Sequence, residues 1–173
     1  MSIQVEHVQS GHRVGLEWGR AGVAALAPTC SVLVVVDVLS FGTAVDIVVS
    51  RGARVLPQRW GDPAATAREA SAALAISAGP RRGVGPSLRP SSLLELASDA
   101  LLALPSPNGA TLCHEAAALV DVVFAGCLRN ASAVAATART AAGSGRSGSS
   151  RLASAGRMAR CESPSRTPSG LAR

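Results

Sequence analysis

Five residues, Val32 to Val36, run without polar interruption and stop at a carboxylate, Asp37. The run is too short to cross a bilayer and rich in β-branching, which predicts a strand covered on both faces, as in a parallel sheet. Past Ser40-Phe41-Gly42 the pattern becomes Thr43-Ala44-Val45-Asp46-Ile47-Val48-Val49, which turns as a helix and stops near Arg51-Gly52, where glycine accepts a left-handed cap. A strand tip, an acid and a helix start therefore share one place. In open α/β sheets ligands bind there, outside the carboxyl ends of the strands, and the N–H groups of a helix start can hold an anion.

The rest of the chain repeats this design. Residues 3–8 and 14–18 alternate, and Gly11-His12 between them predicts a hairpin. Residues 19–28 form an Ala/Gly-rich connector with room for one helical turn. Residues 54–57 are the next strand, and Asp62-Pro63 opens a helix carried through residues 64–77. Residues 78–92, broken by Gly and Pro and holding Arg81, Arg82 and Arg89, are a loop. Its guanidiniums either face solvent or clamp an anionic substrate, since Arg matches phosphate and sulfonate oxygens in a bidentate way. Gly83-Val84-Gly85 is no dinucleotide fingerprint, because no strand runs into it and Pro86 follows. Residues 101–104 form a strand that ends in Pro105-Ser106-Pro107-Asn108-Gly109, and residues 112–119 form a helix. Residues 121–125 repeat the strand, and an Ala-rich helix follows with Asn130 as N-cap. The junctions Asp37/Gly42/Thr43, Asn108/Gly109/Thr111 and Asn130/Ser132 carry small or polar groups at the same relative place, one edge of a parallel sheet. The fold class expected is α/β: a parallel or mixed sheet with helices on both faces, in three layers.

Composition narrows the function. A chain of 173 residues with 47% hydrophobic content builds one domain with a real core. With only two Trp and two Phe, that core is Val, Leu and Ala, and stacking platforms for nucleic acid are lacking. The formal charge of +6 belongs to the C-terminus: residues 143–173 hold six Arg and one Glu, leaving the first 142 residues nearly neutral. Cys30, Cys113, Cys127 and Cys161 show no metal-ligand spacing, and residues 2–20 contain no signal-peptide core. These features lead us to expect free thiols, a cytoplasmic location, no membrane partner and no nucleic-acid partner, with a homo-oligomer compatible. The three histidines read as solvated or core residues.

Four blocks, D-V-L-S-F-G-T-A-V at 37–45, S-L-R-P-S-S-L at 87–93, L-P-S-P-N-G-A-T-L at 104–112 and A-G-C-L-R-N-A-S-A-V-A at 125–135, are similar in order and spacing to the 2-phosphosulfolactate phosphatase (ComB-like) family. The resemblance covers about residues 3–140. It implies Mg²⁺-dependent hydrolysis of a phosphomonoester on a small sulfonated or carboxylated acid, 2-phosphosulfolactate to sulfolactate and phosphate or a related reaction. Where the family commonly reads D-V-L-R-A-T-T, this chain has Ser40-Phe41-Gly42. Loss of that Arg alters the expected substrate more than the phosphatase chemistry.

A phosphate monoester needs its oxygens neutralised, a cation for the developing charge and an in-line nucleophile. Asp37 is the candidate Mg²⁺ ligand, because Mg²⁺ is commonly held by one or two carboxylates plus water and phosphate oxygens. It could instead attack and form an acyl phosphate, or only cap the following turn. Asn108, Thr111 and Asn130 are candidates to orient phosphate oxygens or the attacking water, Gly109 to allow close backbone approach, and Gly42, Thr43, Arg82, Arg89, Arg129 and Ser132 to bind substrate. Asp46, inside the first helix, is expected as a surface or partner charge. The alternatives are a non-catalytic family fragment, anion-binding or inactive, and a nucleic-acid binder using the Arg-rich tail, which has no aromatic or motif support.

From Gly143 the apolar pattern vanishes, so residues 1–142 read as an incomplete phosphatase-like domain and residues 143–173 as a disordered Arg/Ser/Gly-rich tail. The chain has no Lys and is crowded with Ala, Arg and Gly, which suggests GC-rich codons. Residues 150–167 back-translated with such codons and shifted by one nucleotide can give P-A-G-E-R-W-P-D-G-A-L-R-V-A-V-E-D, which resembles the family's C-terminal block. The expectation is a frame shift between about Thr140 and Ser149, with the C-terminal part of the fold, at least one core strand and a helix, missing.

Overall fold

The computed structural model describes residues 13–59, 73–74, 85–143 and 151–152. Helix α1 (Gly19–Leu26) and a 3₁₀ turn (Ala27–Thr29) lead into strand β1 (Cys30–Val36), which is followed by helix α2 (Phe41–Ser50) and strand β2 (Arg54–Gln58). Strand β3 is two residues, Ala73–Leu74. After a 3₁₀ turn (Pro90–Leu93) come strand β4 (Leu101–Pro105), helix α3 (Gly109–Ala117), strand β5 (Val122–Gly126), helix α4 (Ala131–Gly143) and a two-residue strand β6 (Arg151–Leu152). The fold is α/β, and every strand pair is parallel.

The β-branched run is apolar throughout because helices cover both its faces. Leu33 and Val35 of β1 pack with Val45 and Val48 of α2 and with Cys113 and Ala116 of α3. Val32 points into a second core with Val134 and Ala138 of α4 and Phe124 of β5. Alternate residues of a strand face opposite sides, so a strand with a core on each side keeps no polar positions. Cys30, Cys113 and Cys127 are buried. Helix α2 ends as its sequence suggests: Gly52 has φ +85°, and the N–H groups of Gly52 and Ala53 return to the carbonyls of Val49 and Val48.

Several expectations change. Among the described residues the strands form two three-stranded sheets, β5-β1-β6 and β2-β4-β3, where one sheet was expected. Helix α3 joins them by packing on β1, β2 and β5. Helix α1 runs two turns, because Val23 and Leu26 find the main core. Helix α3 begins at Gly109, ahead of the expected residue 112. Ala73–Leu74, expected inside a helix, pair with β4, so backbone hydrogen bonding to a neighbouring strand overrides an Ala-rich composition. The remainder of that helix and residues 3–8 of the hairpin lie outside the described residues. Val14 makes an isolated bridge, while Leu16 and Trp18 stay exposed. Within the tail, Arg151 and Leu152 are ordered beside Cys30 and Val32. Among the described residues no helix is long and apolar enough to cross a membrane.

Candidate functional site

Strand β1 delivers Asp37 to its carboxyl end, and the chain turns through Val38, Leu39 and Ser40 into α2. The Leu39–Ser40 peptide bond is cis. The Gly42 N–H donates to the Asp37 carbonyl at 2.7 Å and the Thr43 hydroxyl to the Val38 carbonyl at 2.8 Å. A Cβ on Gly42 would collide with the carbonyl oxygens of Gly126 and Asp37, so only glycine lets α2 start against the ends of both β1 and β5. Ser40 does not cap α2 with its side chain; its Oγ donates to the Leu88 carbonyl at 2.9 Å. That bond ties the turn to residues 87–92, where Ser92 Oγ donates to the Arg89 carbonyl at 2.7 Å and the buried Leu93 anchors the loop.

The central contact is long-range. Asp37 Oδ2 accepts a hydrogen bond from the Gly109 N–H at 3.0 Å. Asn108 gives α3 no side-chain cap, so a carboxylate from the end of β1 caps the first N–H of a helix 72 residues further along. The N–H and the helix dipole both favour negative charge there. Asp37 thus caps α3, where the sequence suggested the following turn. A Cβ on Gly109 would strike the Phe41 ring and Asp37 Oδ2, so glycine admits the carboxylate.

The third junction lies beside the first, since the Asp37 N–H reaches the Gly126 carbonyl at 3.4 Å. Asn130 is 1% exposed; its Oδ1 accepts from the Cys127 N–H at 2.6 Å and its Nδ2 donates to the Ala125 carbonyl at 3.4 Å. Its amide shapes the turn from within. Arg129 Nε donates to Asp46 Oδ2 at 2.8 Å. Asp46 is therefore buried and ion-paired, a partner charge and not a surface one, because the turn after β5 brings a counter-charge to the second turn of α2.

The structure gathers Asp37, Gly42 and Gly109 into one contact unit, with Arg129 on the adjoining turn. The hydroxyls of Thr43 and Thr111 each close their own junction, Thr111 through the Ser106 carbonyl at 3.1 Å. Asn108 and Arg89 are exposed, Arg89 being linked to the unit through Leu88 and Ser40. Ser132 is exposed in the first turn of α4, and Arg82 lies outside the described residues. Sequence reasoning missed Ser40 as a tether, Phe41 as the wall against Gly109 and Asp46 as a partner of Arg129. No local pattern marks any of the three. Two open grooves, of about 620 and 520 Å³, are lined elsewhere, the larger between α1 and α3 where Arg20 and Arg59 flank Glu115. Neither includes Asp37 or Gly109.

Asp37 also decides whether the residues fit a Mg²⁺ ion. Among the described residues no three His, Cys, Asp or Glu side chains gather into a ligand cluster. Mg²⁺ needs less than that: one carboxylate, with water and phosphate oxygens completing the octahedron. With Oδ2 on Gly109, Asp37 keeps Oδ1 for such an ion, so the site meets the minimum. No family model, curated protein or solved structure matches the chain.

Proposed function

We propose that this chain is a Mg²⁺-dependent phosphoric monoester hydrolase acting on a small phosphorylated acid, 2-phosphosulfolactate or a related compound. The observation that carries this reading is the Asp37 carboxylate held on the Gly109 N–H at the carboxyl end of a parallel strand. A phosphate monoester approaching the same helix start meets a carboxylate already in place, and two anions share such a site when a cation lies between them. Asp37 would hold that Mg²⁺ through Oδ1. The bound ion supplies charge neutralisation at the phosphate and at the leaving oxygen.

The chain's own groups do the rest. Gly109 fixes the direction of the Asp37 carboxylate, and the exposed guanidiniums of Arg89 and Arg129 offer planar donors to the substrate's oxyanions. Overall, water adds to phosphorus in line, the bond from phosphorus to the ester oxygen breaks, and that oxygen leaves as the alcohol after taking a proton. The same contact also suits a plainer role, in which Asp37 only caps α3 and the protein binds an anion without turnover.

Phosphate release from a panel of small phosphomonoesters, including phosphosulfolactate and phospholactate, tests the proposal with and without Mg²⁺. We expect release that EDTA stops and Asp37→Asn reduces by at least about a hundredfold, the range for loss of a group acting on the reacting charge. A folded wild-type chain that turns over no member of the panel would sink the hydrolase reading and leave the capping one.

A further inference from the structure

Asp46 is the buried carboxylate for which the proposed chemistry has no use. It is 5% exposed on α2, one turn after Gly42, and its Oδ2 receives Arg129 Nε at 2.8 Å. A buried ion pair is weak evidence of stability, since an apolar pair of similar volume often does as well. The partner here is far from buried: the Arg129 side chain is 57% exposed, and the described bond uses only Nε. The two terminal nitrogens form the edge that matches an oxyanion in a bidentate way.

The backbone beneath Arg129 is fixed as well. Asn130 locks the turn through Cys127 and Ala125, and the Gly126 carbonyl that opens the turn receives the Asp37 N–H. Backbone and side chain are thus each held by a separate contact, beside the strand end that carries Asp37. A guanidinium held at one nitrogen loses less rotamer freedom when its other edge meets an anion.

We infer that Asp46 is a positioning residue that aims the Arg129 guanidinium at an oxyanion of the ligand bound beside Asp37. This deepens the hydrolase proposal and rests on it for the identity of the ligand as a phosphorylated acid. Two roles for Asp46 predict opposite signs. If it merely damped the charge of Arg129, its removal would leave a freer and more positive guanidinium, and anions would bind more tightly. As a positioning residue, its removal weakens them.

The test is calorimetric titration of the full chain with inorganic phosphate at low salt, together with steady-state kinetics on a phosphomonoester that the wild type turns over. Asp46→Ala should weaken phosphate about tenfold, the scale of one charge-assisted hydrogen bond. KM should rise by a similar factor with kcat nearly unchanged. Asp46→Asn, which keeps an acceptor for Nε, should recover most of the loss, and Arg129→Lys, which keeps the charge but not the fork, should behave like Asp46→Ala. Thermal melts identify any variant that fails to fold, and Arg129→Lys then carries the test. Tighter or unchanged phosphate binding in Asp46→Ala and Arg129→Lys overturns the inference, as does a wild type that binds no phosphate. Arg129-dependent binding without turnover leaves the inference standing and removes the hydrolase proposal. Turnover with KM untouched in these variants does the reverse.

Discussion

Gly109 shows how much one missing methyl group can decide. Its N–H must reach Asp37 while its α-carbon lies against the Phe41 ring, and a Cβ would enter the space of both. Gly109→Ala, a favourable change in most helices, is therefore expected to destabilise the protein by about 1–3 kcal/mol, the usual penalty of overpacking a tight contact. Urea denaturation of the purified variant measures it, and a midpoint equal to or above that of the parent would show that the contact yields easily. In the sequence, Asp37 and Gly109 each stand out locally, one as the acid that ends an apolar strand and the other as a glycine at a strand-to-helix junction. That they touch was legible only as far as the sequence sets both at strand-to-helix junctions; the strands that carry them lie in different sheets. Asp46 was legible only as a surface or partner charge. Which of the two holds depends on Arg129, 83 residues away.

At the level of elements, apolar runs and turn chemistry were enough to find β1, β2, β4 and β5, and the stop of α2 at Gly52. The failures share a cause. The start of α3 depends on a cap donated by Asp37, Ala73–Leu74 depend on hydrogen bonds from β4, and the length of α1 depends on a core surface for Val23 and Leu26. A local window contains none of these partners. The sequence reads Asn130 as the cap of the following helix, whereas its described bonds run back to Cys127 and Ala125 and hold the preceding turn. Asn130→Ala leaves the Cys127 N–H without an acceptor inside the turn between β5 and α4. A loss of about 1–2 kcal/mol is expected, the range for leaving a buried donor without its acceptor. Thermal denaturation followed by circular dichroism checks it, and a melting temperature within about 1 °C of the parent would argue that the turn holds itself.

For the whole molecule, two parallel three-stranded sheets bridged by α3 leave β1 between partners of unequal size. On one side β5 pairs with it from Val32 to Val36; on the other, β6 reaches only Cys30 and Val32. Composition reads residues 143–173 as tail, yet Arg151–Leu152 complete this flank. Deleting residues 144–173 should therefore lower the melting temperature and promote aggregation through the opened edge of β1. A truncated chain as stable and monomeric as the parent by light scattering would mean that β6 contributes nothing.

The pairing of β1 with β5 has a consequence in time. Val32 finds its partner in Val122, about ninety residues later in the chain. During synthesis at roughly 5–20 residues per second, the Val-rich strand leaves the ribosome some 5–20 s before its neighbour exists. Throughout that interval its backbone edges are unpaired and the face that α4 later covers is open, so Cys30–Val36 is a stretch of the nascent chain that a chaperone would hold.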